Sequence, residues 1–149
     1  MNDLLHTSPS LKKERIDTYF MEHAKLASTM SYCKRNLVGS VIVKDNRIIS
    51  EGRNGTVESS DNCCEESYNG EFITKNSVVH AEANAILFAA RHGISTLGCT
   101  IYITLSPCME CAKMIIQSGI KRVVYKDDYR DLSGIEFLKE NNIIPVKLG

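Results

Sequence analysis

The chain has no net charge and no long apolar run. Its 18 Lys and Arg residues balance its 18 Asp and Glu residues, whereas proteins that hold a nucleic-acid backbone usually carry a basic excess, because phosphate contacts dominate their affinity. No stretch approaches the roughly 18 to 20 apolar residues that a membrane helix needs, and residues 1–10 lack the basic and apolar regions of a signal peptide. We therefore expect no nucleic-acid partner, no membrane association and a cytoplasmic location.

The length of 149 residues predicts a single domain over residues 1–149 with a substantial buried core. Six cysteines are present, enough for three disulfides: Cys33, Cys63, Cys64, Cys99, Cys108 and Cys111. Because the sequence shows no export signal, metal binding and free thiols are the favoured interpretation of these cysteines.

The apolar periodicity predicts alternating strands and helices. Helical spacing covers residues 11–30, 81–92, 107–117 and 132–140. Runs rich in β-branched residues predict strands over residues 38–43, 47–50, 99–105, 121–125 and 143–146, the first two forming a hairpin. This order predicts an α/β fold, a three-layer α/β/α sandwich around a mixed sheet of five strands.

Two further local features have expected roles. Residues 52–79 are polar and too long for an ordinary connection, which predicts a functional or binding loop. Ser106 is expected to cap the helix over residues 107–117, with Pro107 in its first turn and Gly119 beyond its end.

One histidine and two cysteines have the spacing of a metal site. His80 is followed after 28 positions by Cys108, and Cys111 lies three positions further on. A structural zinc is normally closed by four protein ligands, whereas three ligands leave a position for a water that the metal acidifies. Glu82 lies two positions after His80 and is the candidate acid/base beside that water.

Each of these residues also has an ordinary interpretation. A Cys-x-x-Cys pair alone is compatible with a redox pair or with chance, and a lone histidine is more often a surface or capping residue. Glu82 alone would be a carboxylate that favours a helix N-terminus, and residues two apart do not face each other within a helix. The combination favours a metal site, because His-x-Glu followed by Pro-Cys-x-x-Cys is the known signature of zinc-dependent nucleobase deaminases.

Longer segments resemble the deoxycytidylate (dCMP) deaminase family of the cytidine deaminase superfamily. They are His80-Ala-Glu-Ala-Asn-Ala-Ile, Tyr102-Ile-Thr-Leu-Ser-Pro-Cys-Met-Glu-Cys-Ala-Lys and Gln117-Ser-Gly-Ile-Lys-Arg-Val-Val-Tyr. The resemblance covers roughly residues 32–146 and implies a cytidine deaminase-like fold. It also implies a homo-oligomer, a hexamer or a smaller assembly.

The resemblance implies hydrolysis of dCMP to deoxyuridylate (dUMP) and ammonia, which supplies the precursor for dTMP synthesis. One zinc per chain, held by His80, Cys108 and Cys111, would lower the pKa of its bound water toward ~7. Glu82 would take the proton of that water and deliver protons to N3 and to the departing amino group. The main-chain amide of Ala81 and carbonyl of Ser106 would contact the base.

Three further positions resemble the family's nucleotide-binding residues. Asn54 matches an asparagine that binds the nucleoside, although Asn-Gly is also a common turn signal. Arg35 matches a basic position, and its guanidinium suits a 5′-phosphate, although an isolated arginine is more often a solvated surface residue. Tyr129 matches an aromatic residue that closes over the substrate.

The sequence departs from the family at two places. Relatives regulated by dCTP and dTTP carry Gly-Tyr-Asn-Gly where this chain has Arg53, so regulation by these effectors is in doubt, although Arg91 and the loop around Cys63 remain candidates for an effector pocket. Some relatives hold a second zinc through cysteines that match Cys63 and Cys33. Phe72, Ile73, Thr74 and Lys75 offer no partner ligand, so we predict no second zinc.

Three other functions were weighed against dCMP deamination. A tRNA adenosine deaminase would be expected to carry a basic surface. A cytidine or cytosine deaminase would not need a phosphate ligand such as Arg35. A noncatalytic zinc domain would need a fourth ligand, for which Cys99 is the nearest spare cysteine.

Overall fold

The computed structural model describes residues 7–149. The helices are α1 (Pro9–Ser28), α2 (Ala81–Arg91), α3 (Met109–Gln117) and α4 (Ser133–Glu140). The strands are β1 (Gly39–Lys44), β2 (Arg47–Arg53), β3 (Glu65–Tyr68), β4 (Glu71–Thr74), β5 (Thr100–Leu105), β6 (Arg122–Asp127) and β7 (Val146–Lys147). None of the helices in this part of the chain is long and apolar enough to cross a membrane.

The main sheet has the strand order β2-β1-β5-β6-β7. Strand β1 runs antiparallel to β2 and β5, while β5, β6 and β7 are parallel to one another. The predicted mixed five-stranded sheet is therefore confirmed. The parallel strands require crossover helices, and α3 and α4 supply them.

Both faces of the sheet are covered by helices. On one face Phe20, Met21 and Ala24 of α1 pack against Val41 and Val43 of β1, with Tyr102 and Val124. On the other face Ala85 of α2, Ala112 and Ile115 of α3 and Leu138 of α4 pack against Ile42, Ile101, Ile103 and Val123. Neighbouring strand residues point to opposite faces, as the pleat requires, and the predicted three-layer sandwich is confirmed.

A buried ion pair ties α1 to the sheet. Arg122 on β6 donates two hydrogen bonds to the Asp17 carboxylate, of 2.8 and 2.7 Å, and the Tyr102 hydroxyl donates a third of 2.7 Å. Asp17 is 4% exposed. Burial, the largest single effect, raises the pKa of Asp17, but these hydrogen bonds and the attraction of Arg122 together outweigh it and hold that pKa below the ordinary value.

The expected cap of α3 was wrong. The helix begins at Met109 with Cys108 as its N-cap residue, so Pro107 precedes the first turn. The Ser106 hydroxyl instead accepts a hydrogen bond of 2.8 Å from the main-chain amide of Tyr129. Tertiary contact with a residue 23 positions away has taken the hydroxyl that local sequence assigned to the helix.

The segment over residues 52–79 is not an unstructured loop, contrary to expectation. Its second half forms a hairpin, in which β3 pairs antiparallel with β4. The turn residues Asn69 and Gly70 have φ values of 51° and 79°, and Asn-Gly is a strong hairpin signal because both positions need positive φ. The hairpin was missed because β3 and β4 are largely polar and short.

The expectation of free thiols was wrong for one pair. Cys33 and Cys64 form a disulfide, with Cα atoms 5.2 Å apart and 31 positions between them in sequence. Cys63, the neighbouring cysteine, is exposed and free. The pairing arises because the β3–β4 hairpin folds back over residues 33–35, a contact that no local pattern reveals.

Candidate metal centre and active site

The predicted metal ligands lie at two helix N-termini. His80 is the N-cap residue of α2 and Cys108 the N-cap residue of α3, both with extended main chain. Cys111 lies in the first turn of α3. The positive ends of helix dipoles favour thiolates at such positions.

The three ligand atoms converge at distances that suit zinc. His80 Nδ1 lies 3.5 Å from Cys108 Sγ and 3.4 Å from Cys111 Sγ. Zinc bonds of about 2.0 to 2.1 Å to nitrogen and 2.3 Å to sulfur place tetrahedral neighbours about 3.6 Å apart. The donor set therefore fits one tetrahedrally coordinated zinc ion.

No fourth ligand joins this group among residues 7–149. The mutually close donors are those of His80, Cys108 and Cys111. Cys99 is buried just before β5, and the six residues from there to Leu105 span about 20 Å at about 3.3 Å per residue. The noncatalytic alternative, which needed Cys99 as a ligand, has no support in the described chain.

The acid/base candidate is buried next to the ligands. Glu82 lies in the first turn of α2 and is 4% exposed. Burial raises the pKa of Glu82 to about 7, against the opposing effects of its main-chain hydrogen bond and of His80. A carboxyl group with this pKa can both accept and donate a proton near neutral pH, as a general acid/base must.

The two cysteines affect each other's ionisation. A hydrogen bond from the Cys111 thiol lowers the pKa of Cys108 to about 4, with burial opposing and His80 assisting. The hydrogen bond with Cys108 raises the pKa of Cys111, and burial adds to that rise. The pair thus holds a thiolate at neutral pH, the form that binds a metal.

Hydrogen bonds to the sheet fix the position of α2. The Ser40 hydroxyl donates to the Ala81 carbonyl at 2.9 Å, and the Ser50 hydroxyl donates to the Ala85 carbonyl at 2.6 Å. Strand β2 contributes Gly52, where an added Cβ would overlap the Ala81 carbonyl oxygen. The helix that carries Glu82 is therefore held directly against β1 and β2.

An open cavity of about 840 Å³ lies over these groups. His80, Glu82 and Cys108 line it, together with all five residues that the resemblance predicted for substrate binding: Arg35, Asn54, Ala81, Ser106 and Tyr129. The structure thus brings together residues spread over 95 positions of sequence.

The side chain of Asn54 supports the cavity wall. Its Oδ1 accepts a hydrogen bond of 2.9 Å from the Val38 amide, and its Nδ2 donates one of 2.7 Å to the Asn36 carbonyl. Asn54 is 8% exposed. The carboxamide holds the segment after Arg35 in place while one N–H and one lone pair remain for other partners.

Several cavity residues were missed from the sequence. Lys75 and Arg130 add two cations to the wall that contains Arg35, and the Arg130 guanidinium lies 5.6 Å from the centre of the Tyr129 ring. Asp128 also lines the cavity but is paired with Lys147 at 2.7 Å. Isolated basic residues in polar segments carry no spacing signal, so only the fold could place them here.

The cysteine pair at Cys33 and Cys64 forms a second close group with Glu65. Its two sulfur atoms are joined to each other, and a disulfide offers no thiolate to a metal. The absence of a second zinc stays a prediction.

The chain belongs to the cytidine and deoxycytidylate deaminase family. The family's model, described as the cytidine and deoxycytidylate deaminase zinc-binding region, matches residues 14–127. These residues include α1, the β1–β2 hairpin, both metal-ligand motifs and β6.

Relatives of this family include characterised nucleotide enzymes. The chain is 38% identical over 148 residues to the deoxycytidylate deaminase of Enterobacteria phage T4, covering 73% of this chain and 76% of the phage protein. It is 41% identical over 119 residues to ComE operon protein 2 of Bacillus subtilis, covering 78% of this chain but only 63% of that protein's length.

A solved structure has the same fold. The dCMP deaminase of cyanophage S-TIM5, determined in complex with dCMP and dUMP, superposes with a TM-score of 0.82 at 38% identity. The superposition covers 95% of this chain and 99% of the phage chain. A tRNA adenosine deaminase also shares the fold, with a TM-score of 0.61 at 23% identity.

Proposed function

We propose that the protein hydrolyses dCMP to dUMP and ammonia in the cavity above His80, Cys108 and Cys111. The observation that carries this proposal is the triangle of ligand atoms, 3.4 to 3.5 Å between nitrogen and sulfur, with the buried Glu82 beside it. The similarity to a dCMP deaminase crystallised with dCMP and dUMP supports the choice of nucleotide. The dUMP formed would be a precursor for dTMP.

We assign one zinc per chain to His80, Cys108 and Cys111. Zinc bound there supplies the Lewis acidity that makes water nucleophilic near neutral pH. Glu82 accepts a proton as the water oxygen attacks C4 of the cytosine ring and delivers a proton to N3. It then protonates the amino nitrogen, which leaves as ammonia. The pKa of about 7 for Glu82 supports both directions of transfer.

The remaining predicted residues are proposed to bind the nucleotide. The Ala81 amide and the Ser106 carbonyl contact the base, and Tyr129 covers it. Arg35 binds the 5′-phosphate. Asn54 contributes the free donor and acceptor of its carboxamide to the nucleoside while its other bonds support the wall.

The proposed assembly is a homo-oligomer in the cytoplasm. Leu87 and Phe88 on α2 are 54% and 48% exposed, and burying such side chains against a second copy would be favourable. The exposed Arg91 at the end of α2 pairs with Glu58 at 3.2 Å, which ties this surface to the segment over residues 52–64.

A substrate panel tests the proposal. The purified protein is assayed for ammonia release from dCMP, deoxycytidine, cytosine and dCTP, each with and without dCTP and dTTP as effectors. We expect dCMP to have the highest kcat/KM. Equal turnover of deoxycytidine would contradict the nucleotide assignment, and a response to dCTP or dTTP would establish regulation.

Elemental analysis on the same preparation measures the zinc content. One zinc per chain is expected, and two would overturn the prediction of a single site. Light scattering gives the oligomeric state, with a monomer contradicting the proposed assembly.

A further inference from the structure

The β3–β4 hairpin binds both the main chain and the side chain of Arg35. The Glu65 carboxylate accepts hydrogen bonds from the amides of Lys34 and Arg35, at 2.9 and 3.4 Å. The Arg35 guanidinium donates to the Thr74 hydroxyl at 3.1 Å. Glu65 and Thr74 are direct partners across the hairpin, so one cross-strand pair fixes this arginine at both ends.

The chemistry of the two contacts leaves the arginine's charge available. Thr74 is a neutral acceptor, so it orients the guanidinium without cancelling its charge. Glu65 is 6% exposed and directs its carboxylate at main-chain amides, away from the guanidinium. Of the five N–H donors of Arg35, one is used by Thr74, and the rest suffice for a bidentate contact with a phosphate.

The setting needs this support because Arg35 itself is exposed. An arginine side chain has many rotamers, and ordering it on binding costs affinity. The Cys33–Cys64 disulfide adds a covalent tie next to Lys34 and Glu65. The wall is thus anchored at three successive points before a ligand arrives.

We propose that Glu65 and Thr74 are positioning residues that hold Arg35 in the orientation that binds the 5′-phosphate, and so set the preference for the nucleotide over the nucleoside. This inference rests on the proposed function. Its scope is selectivity at the phosphate, because neither residue contacts the reacting atoms.

Thr74→Val and Thr74→Ser form the first matched pair of variants. Valine keeps the shape of threonine but has no hydroxyl, whereas serine keeps the acceptor. We expect Thr74→Val to raise KM for dCMP by about two- to tenfold, the factor for leaving one long side chain unordered. The kcat for dCMP and the kcat/KM for deoxycytidine should stay unchanged, and Thr74→Ser should restore KM.

Glu65→Gln and Glu66→Gln form the second pair. Glu66 is the exposed neighbour on β3, so its variant should behave as wild type. Glu65→Gln weakens the acceptor for the two amides and should raise KM for dCMP with little change for deoxycytidine. Circular dichroism and thermal melting establish that each variant is folded before kinetics are measured.

The outcomes separate this inference from the proposed function. If wild type prefers dCMP but Thr74→Val and Glu65→Gln leave the ratio of kcat/KM for dCMP and deoxycytidine unchanged, the positioning role is wrong. A loss shared equally by both substrates would also overturn it, because that result indicates a general structural defect. If wild type itself shows no preference for dCMP, the proposed substrate fails first.

Discussion

Replacing Asp17 by Asn should destabilise the fold in a pH-dependent way. Asp17 receives three hydrogen bonds of 2.7 to 2.8 Å from Arg122 and Tyr102. Asparagine has nearly the same shape but no charge, so the variant leaves the Arg122 guanidinium, whose side chain is 26% exposed, without its counter-ion.

The structure allows the size of this effect to be set. Removing one partner of a fully buried ion pair costs about 3 to 5 kcal/mol. Partial exposure of Arg122 lets water replace some of the lost interaction, so we expect the lower end, about 3 kcal/mol. For a domain of this size each kcal/mol lowers Tm by about 2 to 4 °C, which predicts a decrease of about 6 to 12 °C.

The sign of the pH dependence follows from the lowered pKa of Asp17. A carboxylate with a depressed pKa in the folded state stabilises the fold above its ordinary pKa of about 3.9 and loses that effect as the pH falls through the folded-state value. The difference in unfolding free energy between wild type and Asp17→Asn should therefore be constant from neutral pH down to about pH 4 and shrink below it.

Urea unfolding followed by circular dichroism measures this difference. Glu14→Gln is the control, because Glu14 is exposed on the same helix and its loss should cost little. A pH-independent difference, or a loss below about 1 kcal/mol at neutral pH, would refute the assigned role of the ion pair.

Three further predictions concern the active site. Glu82→Gln should lower kcat for dCMP by at least about 10²- to 10⁴-fold with zinc content retained, and near-normal kcat would exclude the acid/base role. Cys108→Ser should reduce bound zinc in elemental analysis while Cys99→Ser, a change at a buried free thiol, leaves it unchanged; equal zinc in both variants would remove Cys108 from the ligand set. Gly52→Ala should cost about 1 to 3 kcal/mol in urea unfolding and lower kcat, because the added methyl overlaps the Ala81 carbonyl oxygen, and an unchanged variant would show that this contact is not tight.

The elements of the sandwich could be predicted because each is encoded locally. The apolar spacing of α2 and the β-branched runs of β1 and β5 mark helix and strand within about ten residues. The strands differ in burial by face, and their alternation predicts which side chains point to which layer. Only the boundaries moved, as at α3, where Cys108 replaces Ser106 as the cap.

The β3–β4 hairpin illustrates what local pattern does not carry. Its strands are four residues each and mostly exposed, so no periodic apolar signal distinguishes them from a loop. The Asn69-Gly70 turn was the available signal. Without neighbours to cover, such a hairpin is defined by what it contacts, and those contacts lie 30 to 40 positions away.

The sequence by itself determined the chemistry, because metal ligands and an acid/base group must be particular residue types at short, characteristic spacings. His80, Glu82, Cys108 and Cys111 could be named for that reason. The tertiary structure alone decided how the substrate wall is built: the Cys33–Cys64 bond, the support that Asn54 provides and the clamp on Arg35. These contacts join segments whose approach depends on packing of the whole domain, and packing leaves no periodic trace in the order of the residues.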